Sequence, residues 1–448
     1  MLSPADARTI VERLVEQARS AGATAADALL IGGRSSSVSV RMGELEDVHR
    51  SEADDIALRV FVGQRSASVS SSDRGDDALA ELVGRAIAMA REAPEDPFAG
   101  LAPPELLLRG EPPAMDGFDP VEPDPAALRA RALAAEGSAL GQARVTNSSG
   151  ASASASANTV ALATSGGFSG AYRSTGHSCS VTVIAGEGGA MQRDYGWHSA
   201  RFLDDLEDPE AIGARAGQRA AARLDPVKLK PGRMPVFFEP RVAGSLLGHF
   251  AAAITGSAIA RQSSFLIGKL GQRIFAPGVR IHDDPLRPRG LRSRSFDGEG
   301  LPVHAMDLVA DGVLTTWLAD SAAARQLGIA PTGHAVRSGG GSPGAGPSNL
   351  WLAAGAKSRE ELLASVPRAI LVTELIGQGV NGVTGDYSRG ASGFLVEGGE
   401  IGAAVSEITI ASNLLDMFAS LEPASDLQHR RGIDSPTLLV PDMTVASA

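Results

Sequence analysis

A single cysteine, Cys179, is all the thiol chemistry available to this chain of 448 residues. That count excludes a disulfide framework and any site that needs two thiolates from one chain. Aromatic residues are scarce too, with three Trp and three Tyr against 52 Gly, a composition of tight turns and small-residue packing. Basic residues are outnumbered: Lys+Arg total 41 against Asp+Glu 52, a formal net charge of −11 at pH 7. Phosphate backbones are held by basic stripes, so an acidic chain points away from nucleic acid as a partner. No window reaches the about 18 uninterrupted apolar residues that suggest a membrane span. The N-terminal MLSPADARTIVERLVEQ lacks the basic and apolar regions of a secretory leader. The expectation is a cytoplasmic protein with neither membrane nor nucleic acid as partner. Hydrophobic residues at 43% are enough for real cores, and the length suits about two to four domains.

The chain divides into four parts. Ser3-Pro4 reads as an N-cap followed by proline at the first helical position. Ile10, Val11, Leu14, Val15 and Ala18 then mark one helical face, and Gly22 stops it. Val38, Val40 and Met42, then Ile56, Leu58, Val60 and Val62, recur with period two, as in half-buried strands. A second helix carries Leu79, Leu82, Val83, Ala86 and Ile87 on one side. Residues 1–93 are thus an α+β domain with helices on one face of a sheet. Residues 94–124 are a Pro-rich connector, extended because proline fixes φ and lacks a donor. Residues 125–224 are a middle α+β domain that opens and closes with helices (125–140 and 208–224). Between them the low-complexity run 148–164 reads as a small-residue strand rather than a linker, followed by a strand at Cys179–Ala185. Residues 225–448 are β-rich, with helices over 242–254 and 359–366 and strands at 235–238, 369–375, 393–396 and 408–410. The fold class is α+β.

Candidate chemistry is thin. The eight histidines are scattered, with no two within five positions and no H-E-x-x-H, so helix-borne zinc with a neighbouring carboxylate base is missing. His177-x-Cys179 is the one close pair of soft ligands, and it reads better as a half-buried strand. Gly377–Gly382 fits G-x-G-x-x-G but opens no helix to receive a pyrophosphate. The glycine-rich loop Ser338–Gly346 has no Gly-Lys-Ser/Thr ending. Its G-x-S-x-G, Gly340–Gly344, places Pro343 where an oxyanion hole needs an N–H. Asp283, Asp284 and Asp386 sit in Gly/Pro-rich loops and read as carboxylates bonding turn amides. A metal-independent hydrolase built on Asp283, Asp386 or His334 lacks a visible nucleophile–base pair. The densest polar stretch is Asn381–Ile401. It reads either as an edge to which an extended peptide adds by main-chain hydrogen bonds, or as a tight hairpin stapled by Asp386 and Arg389.

That stretch, with Thr332–Arg337, Gly346–Leu350, the segment 248–265 and the ending Asp434–Val445, resembles the TldD/PmbA family, in its PmbA/TldE-like branch, across nearly the whole chain. The resemblance implies a cytosolic zinc metalloprotease of two similar subunits that trims unfolded peptides. Zinc is held by the TldD-type subunit through H-E-x-x-x-H and a Cys near the C-terminus. Counted back from Gly268-x-x-Gly271, the motif's place here falls on Leu247–Ala252. Leu247 replaces the first His, Gly248 the Glu and Ala252 the last His, while His249 lies inside without a partner. No C-terminal Cys exists, since Cys179 is in the middle domain. The resemblance therefore implies a subunit with no catalytic residues, no metal and no cofactor of its own. Its expected partners are a TldD-like catalytic subunit and an unfolded peptide and, in isolation, a second copy of itself, since the two subunits share a fold. Asn381, Thr384, Asp386, Ser388, Arg389, His334 and His249 are the candidate substrate- or partner-binding residues. The alternative is an autonomous peptide- or protein-binding regulator of the gyrase-modulator type.

Overall fold

The structure, a computed structural model, describes residues 2–337, 339 and 341–447. The first half of the chain builds one sheet. Its helices are α1 (Pro4–Ser20), α2 (Asp76–Glu92), α3 (Pro125–Leu140) and α4 (Pro209–Ala222). Its strands are β1 (Ala25–Arg41), β2 (Glu44–Val62), β3 (Arg65–Ser71), β4 (Val145–Thr164), β5 (Ser169–Ala185) and β6 (Gln192–Ala200). They run antiparallel in the order β3-β2-β1-β4-β5-β6. The two α+β segments on either side of the connector therefore share a single sheet, joined where β1 pairs with β4 from Asp27↔Thr164 to Val40↔Ala151.

All four helices lie on one face, because the inward residues of β1 keep one parity. Ala26, Ala28 and Leu30 pack under α1 and α2, and Val38 and Val40 under α3 and α4. Ser3 caps α1 by accepting from the Asp6 N–H, with Pro4 in the first turn. The run 148–164 is indeed a strand. Ala151, Ala153 and Ala155 face the helices, while Ser152 and Ser154 on the other face bond across to Ser180 and Ser178 at 3.0 and 2.7 Å. α3 and α4 approach each other closely: a Cβ on Gly213 would lie 2.1 Å from the Ala135 carbonyl oxygen. Between the two helix pairs the sheet is covered by the connector instead. Gly117 accepts from the Thr175 N–H at 2.9 Å, Asp119 N–H donates to the Thr175 hydroxyl at 2.9 Å, and Glu122 pairs with Arg34 at 2.6 Å. Ala102 and Leu107 of the connector are buried against the opposite face with Leu29 and Leu162. The connector thus packs against both faces of the sheet.

The second half of the chain begins with β7 (Gly232–Phe238), α5 (Pro240–Ala253), α6 (Gly256–Ala260), β8 (Ile281–Asp284), β9 (Met306–Ala310), β10 (Val313–Leu314) and α7 (Ser321–Leu327). It continues through β11 (Ala335–Val336), β12 (Gly344–Ala345), β13 (Asn349–Leu352), α8 (Arg359–Ala364), β14 (Arg368–Ile376), β15 (Asp386–Glu397) and β16 (Glu400–Asn413). It ends with α9 (Leu414–Ser420), β17 (Glu422–Pro423), β18 (Ile433–Asp434) and β19 (Leu438–Ser447). One sheet runs β10-β9-β8-β13-β18 and another β16-β15-β14-β7-β19-β17, with an added β16–β19 pairing that closes five strands into a ring. α5 packs between these layers through Leu246, Leu247 and Phe250, in the largest core of the molecule.

This body docks on the helix-free face of the first sheet. Phe296 and Leu301 join Leu29, Ala57 and Leu162, and Phe168 meets Phe296 edge-on at 4.9 Å. A buried ionic triad pins the contact. Asp27 accepts from Arg59 Nε at 2.9 Å and from Arg337 Nη1 at 2.5 Å, with all three side chains 7% exposed or less. Burial alone would raise the Asp27 carboxyl, but the Arg59 and Arg337 charges hold it below its ordinary value.

Candidate functional site

α5 starts with Pro240 in its first turn and is apolar on the side that faces the core. Its other side opens onto a cavity of about 270 Å³, walled by His249, Ala252, Ala253, Ser263, Phe265, Gln378, Val380, Gly382 and Leu414. Positions 249, 252 and 253 share a helical face by their spacing. Leu247 is 2% exposed and belongs to the core. Of the three positions that the resemblance assigns to the lost zinc motif, only Ala252 lines the cavity. His249 is the single His, Cys, Asp or Glu side chain among the lining residues. Among the described residues no three such groups come together anywhere. The donor set does not fit zinc, which needs three protein ligands even when one position is left open.

His249 is half-buried, and its Nε2 is buried without a hydrogen-bond partner. Burial, reinforced by the Arg389 charge, pushes its imidazole below the ordinary value, so it is neutral at neutral pH. Tyr387 stands edge-on to it with ring centroids 6.3 Å apart. The Tyr387 hydroxyl is buried, unpartnered and raised by that burial. Ser263 donates to the Ala258 carbonyl oxygen at 3.2 Å rather than to His249. No nucleophile–base pair forms here. What the cavity offers is an apolar wall from Phe265, Val380 and Leu414, with two unsatisfied hydrogen-bonding groups beside it.

One rim of the cavity is the turn before β15. Asn381 Oδ1 accepts from the N–H groups of Val383 and Thr384 at 2.9 and 3.3 Å. The Thr384 hydroxyl donates to Asp386 Oδ2 at 2.6 Å, and Asn413 Nδ2 donates to Asp386 Oδ1 at 3.3 Å. Arg389 is buried, and its Nε donates to the Ile376 carbonyl oxygen at 3.3 Å. The hairpin is therefore not stapled by Asp386 and Arg389: strand alternation sends Arg389 to the same side as Tyr387, while Asp386 and Ser388 are exposed. The G-x-G-x-x-G is explained by the same hairpin. Ser388 N–H donates to the Gly379 carbonyl oxygen at 2.7 Å, and a Cβ on Gly379 would lie 1.9 Å from the Ser388 carbonyl oxygen. Strand β15, not a helix, follows it. Gly379→Ala is expected to lower stability by about 1–3 kcal/mol, as overpacking does. An unchanged denaturation midpoint would contradict that account.

The remaining candidates lie elsewhere. His334 is buried against the β8–β13 sheet. Its Nδ1 donates to the Thr332 carbonyl oxygen at 2.8 Å, and its Nε2 is 3.3 Å from Asp283 Oδ2. Asp283, fully buried, also accepts from Ser348 N–H and Oγ at 2.7 and 2.6 Å, and Asp284 accepts from the Leu286 N–H at 2.9 Å. This is a closed structural network, separate from the His249 cavity. Cys179 is buried under α3 and α4, where burial pushes its thiol up to about 11, and His177 is buried beside the connector, where burial lowers its imidazole. Asp119 Oδ2 is 3.3 Å from His177 Nε2, but the angle makes no hydrogen bond. Ser338 and Gly340 of the glycine-rich loop lie outside the described residues, and Ser342 is exposed. The sequence singled out His249 and Arg389 but not Tyr387. Its place two residues before Arg389 on an alternating strand was the available signal.

Family models described as PmbA/TldA metallopeptidase domain 1, central domain and C-terminal domain match residues 26–90, 118–224 and 231–447. A protein named metalloprotease PmbA from Escherichia coli O157:H7 is 40% identical over 412 residues, covering 92% of this chain and 89% of its own length. A solved structure from Bacteroides thetaiotaomicron, described as a modulator of DNA gyrase, superposes with a TM-score of 0.91 at 27% identity and covers 98% and 99% of the two chains. The structure of TldE from Thermococcus kodakarensis shares the fold, with a TM-score of 0.85 at 20% identity over 98% and 100% of the two chains. Among the described residues no helix is long and apolar enough to cross a membrane.

Proposed function

This chain belongs to the PmbA/TldD metallopeptidase family, and we propose that within it the chain is a TldE-like subunit that does not cut peptides itself. It pairs with a TldD-like zinc subunit, completes the substrate chamber and helps to hold an extended peptide in the cytoplasm. The observation that carries this reading is the cavity on α5, lined by one neutral imidazole and no carboxylate. A lone imidazole cannot assemble a zinc site, and no carboxylate stands beside it to take a proton from water. The same cavity suits peptide. Phe265, Val380 and Leu414 accept an apolar side chain, and the imidazole of His249, whose Nε2 has no partner, can bond a main-chain group.

In a complex reconstituted with a TldD-like chain, His249→Ala is expected to raise KM for an unfolded peptide about fivefold, the equivalent of one hydrogen bond of about 1 kcal/mol, with kcat unchanged. A large fall in kcat would assign His249 to the chemistry and refute the non-catalytic reading. An unchanged KM would remove the cavity from peptide binding.

A further inference from the structure

The largest cavity described is not the one on α5. It measures about 510 Å³ and opens between β6 and α4 on one side and the start of α5, α8 and the loop before β18 on the other. Its walls carry six arginines (215, 219, 241, 359, 430 and 431) and no lysine, against four carboxylates (Glu239, Glu360, Asp426 and Asp434). In a chain of net charge −11 the lining itself holds two more guanidiniums than carboxylates.

The carboxylates are unevenly shared among these arginines. Asp434 is spent on the backbone N–H groups of Arg430, Arg431 and Gly432 at 3.0, 3.0 and 3.3 Å. Asp426 is spent on Thr437 N–H and Oγ1 at 2.8 and 2.7 Å. Arg215 and Arg430 share one carboxylate, Glu207. Arg219 and Arg241 share Glu239, with Asp194 divided between Arg241 and Arg223. Among the described residues Arg359 and Arg431 make no ion pair. Arg359 Nε is buried without a hydrogen-bond partner, while the Arg431 guanidinium lies 5.2 Å over the Trp197 ring and donates through Nη1 to the Pro240 carbonyl oxygen at 3.5 Å. Guanidiniums without a counter-charge in a walled cleft are costly until one arrives. The guanidinium fork is the group that pairs two-fold with carboxylate and phosphate oxygens.

We propose that this cleft is a binding site for a compact polyanion with at least two oxyanion groups, held between the unpaired Arg359 and Arg431 guanidiniums. Its volume falls in the range of small-molecule sites. Its walls come from both halves of the chain, so a bound ligand would also tie the first sheet to the second body.

The test is calorimetric titration of the full chain with tripolyphosphate and, separately, citrate at about 0.15 M ionic strength. Saturable binding of either is expected, and the tighter of the two identifies phosphate or carboxylate as the ligand chemistry. Arg359→Gln and Arg431→Gln are each expected to weaken binding by about tenfold or more, the loss of charged hydrogen bonds. Arg431→Lys, which keeps charge but not the fork, should fall between. Arg431→Gln also gives up the Trp197 and Pro240 contacts, so each variant is compared with itself, with and without ligand. Ligand should raise the melting temperature of the parent and not of the double variant. No saturable binding of either anion, or binding undiminished in the double variant, would overturn the proposal.

Discussion

Asp27→Ala is expected to destabilise the chain by about 3–5 kcal/mol, the effect of stripping one partner from a buried ionic cluster. Asp27 is 1% exposed and stands between Arg59 on β2 and Arg337 in the second body. Arg337 Nε and Nη2 are already buried without partners. Removing the carboxylate leaves two buried guanidiniums facing each other across the contact between the two halves without the ion-pair partner they share. The loss should appear in chemical denaturation and as faster proteolysis between the halves. A variant as stable as the parent would show that the triad is a passenger on the apolar contact around Phe296.

The second expectation concerns pH. Glu299 is 4% exposed beside this triad, with Oε2 accepting from Ser321 N–H and Oγ at 2.8 and 2.7 Å. Burial raises its carboxyl from 4.5 to about 7; the Arg59 charge opposes that rise, and Asp297 adds to it. The sign follows from proton counting. Between about 4.5 and 7 the folded state holds more protons at this site than the unfolded state, so stability falls as pH rises through that window. Above it the penalty is constant, at about 3 kcal/mol. Glu299→Gln keeps an oxygen acceptor for Ser321 and removes the titration. Its stability should therefore exceed the parent's at pH 8 and converge with it near pH 4. Parallel pH profiles for the two proteins would contradict the assignment.

Much of the helical structure was legible because apolar period and caps agree. Leu79, Leu82, Val83, Ala86 and Ile87 are all buried on α2, and α3 spans Pro125–Leu140 as its proline and glycine boundaries suggest. The length of β1 and β2 was not. In β1 the alternation stops after Leu30 and resumes at Val38, because the strand between them passes under the connector rather than under a helix. Polar contacts such as Arg34 with Glu122 replace apolar burial there. A hydrophobic pattern reports burial against apolar neighbours, so it is silent where a strand is covered by hydrogen-bonded chain. The sharing of one sheet by the two α+β segments was hidden for the same reason: the pairing of β1 with β4 is long-range and leaves no local mark.

The site was half legible. Resemblance placed attention on His249, which lines the α5 cavity, whereas Asn381, Thr384 and Asp386 bond one another in the turn before β15 and are not among the lining residues. His334 was grouped with them on residue type alone, and the fold sends it to Asp283. The position given to the first lost histidine, Leu247, faces the core, because helical period and not motif counting decides which residues reach the cavity. The arginine cleft went unseen because its members are scattered from Arg215 to Arg431 and meet only when the two halves dock.

The most direct test of the central claim is zinc content and peptide cleavage of the chain purified alone and after mixing with a TldD-like chain. The account predicts no stoichiometric zinc and no chelator-sensitive cleavage of an unfolded peptide by this chain alone, with both present in the mixed complex. About one zinc per chain, with cleavage by this chain alone that a chelator abolishes, would contradict it.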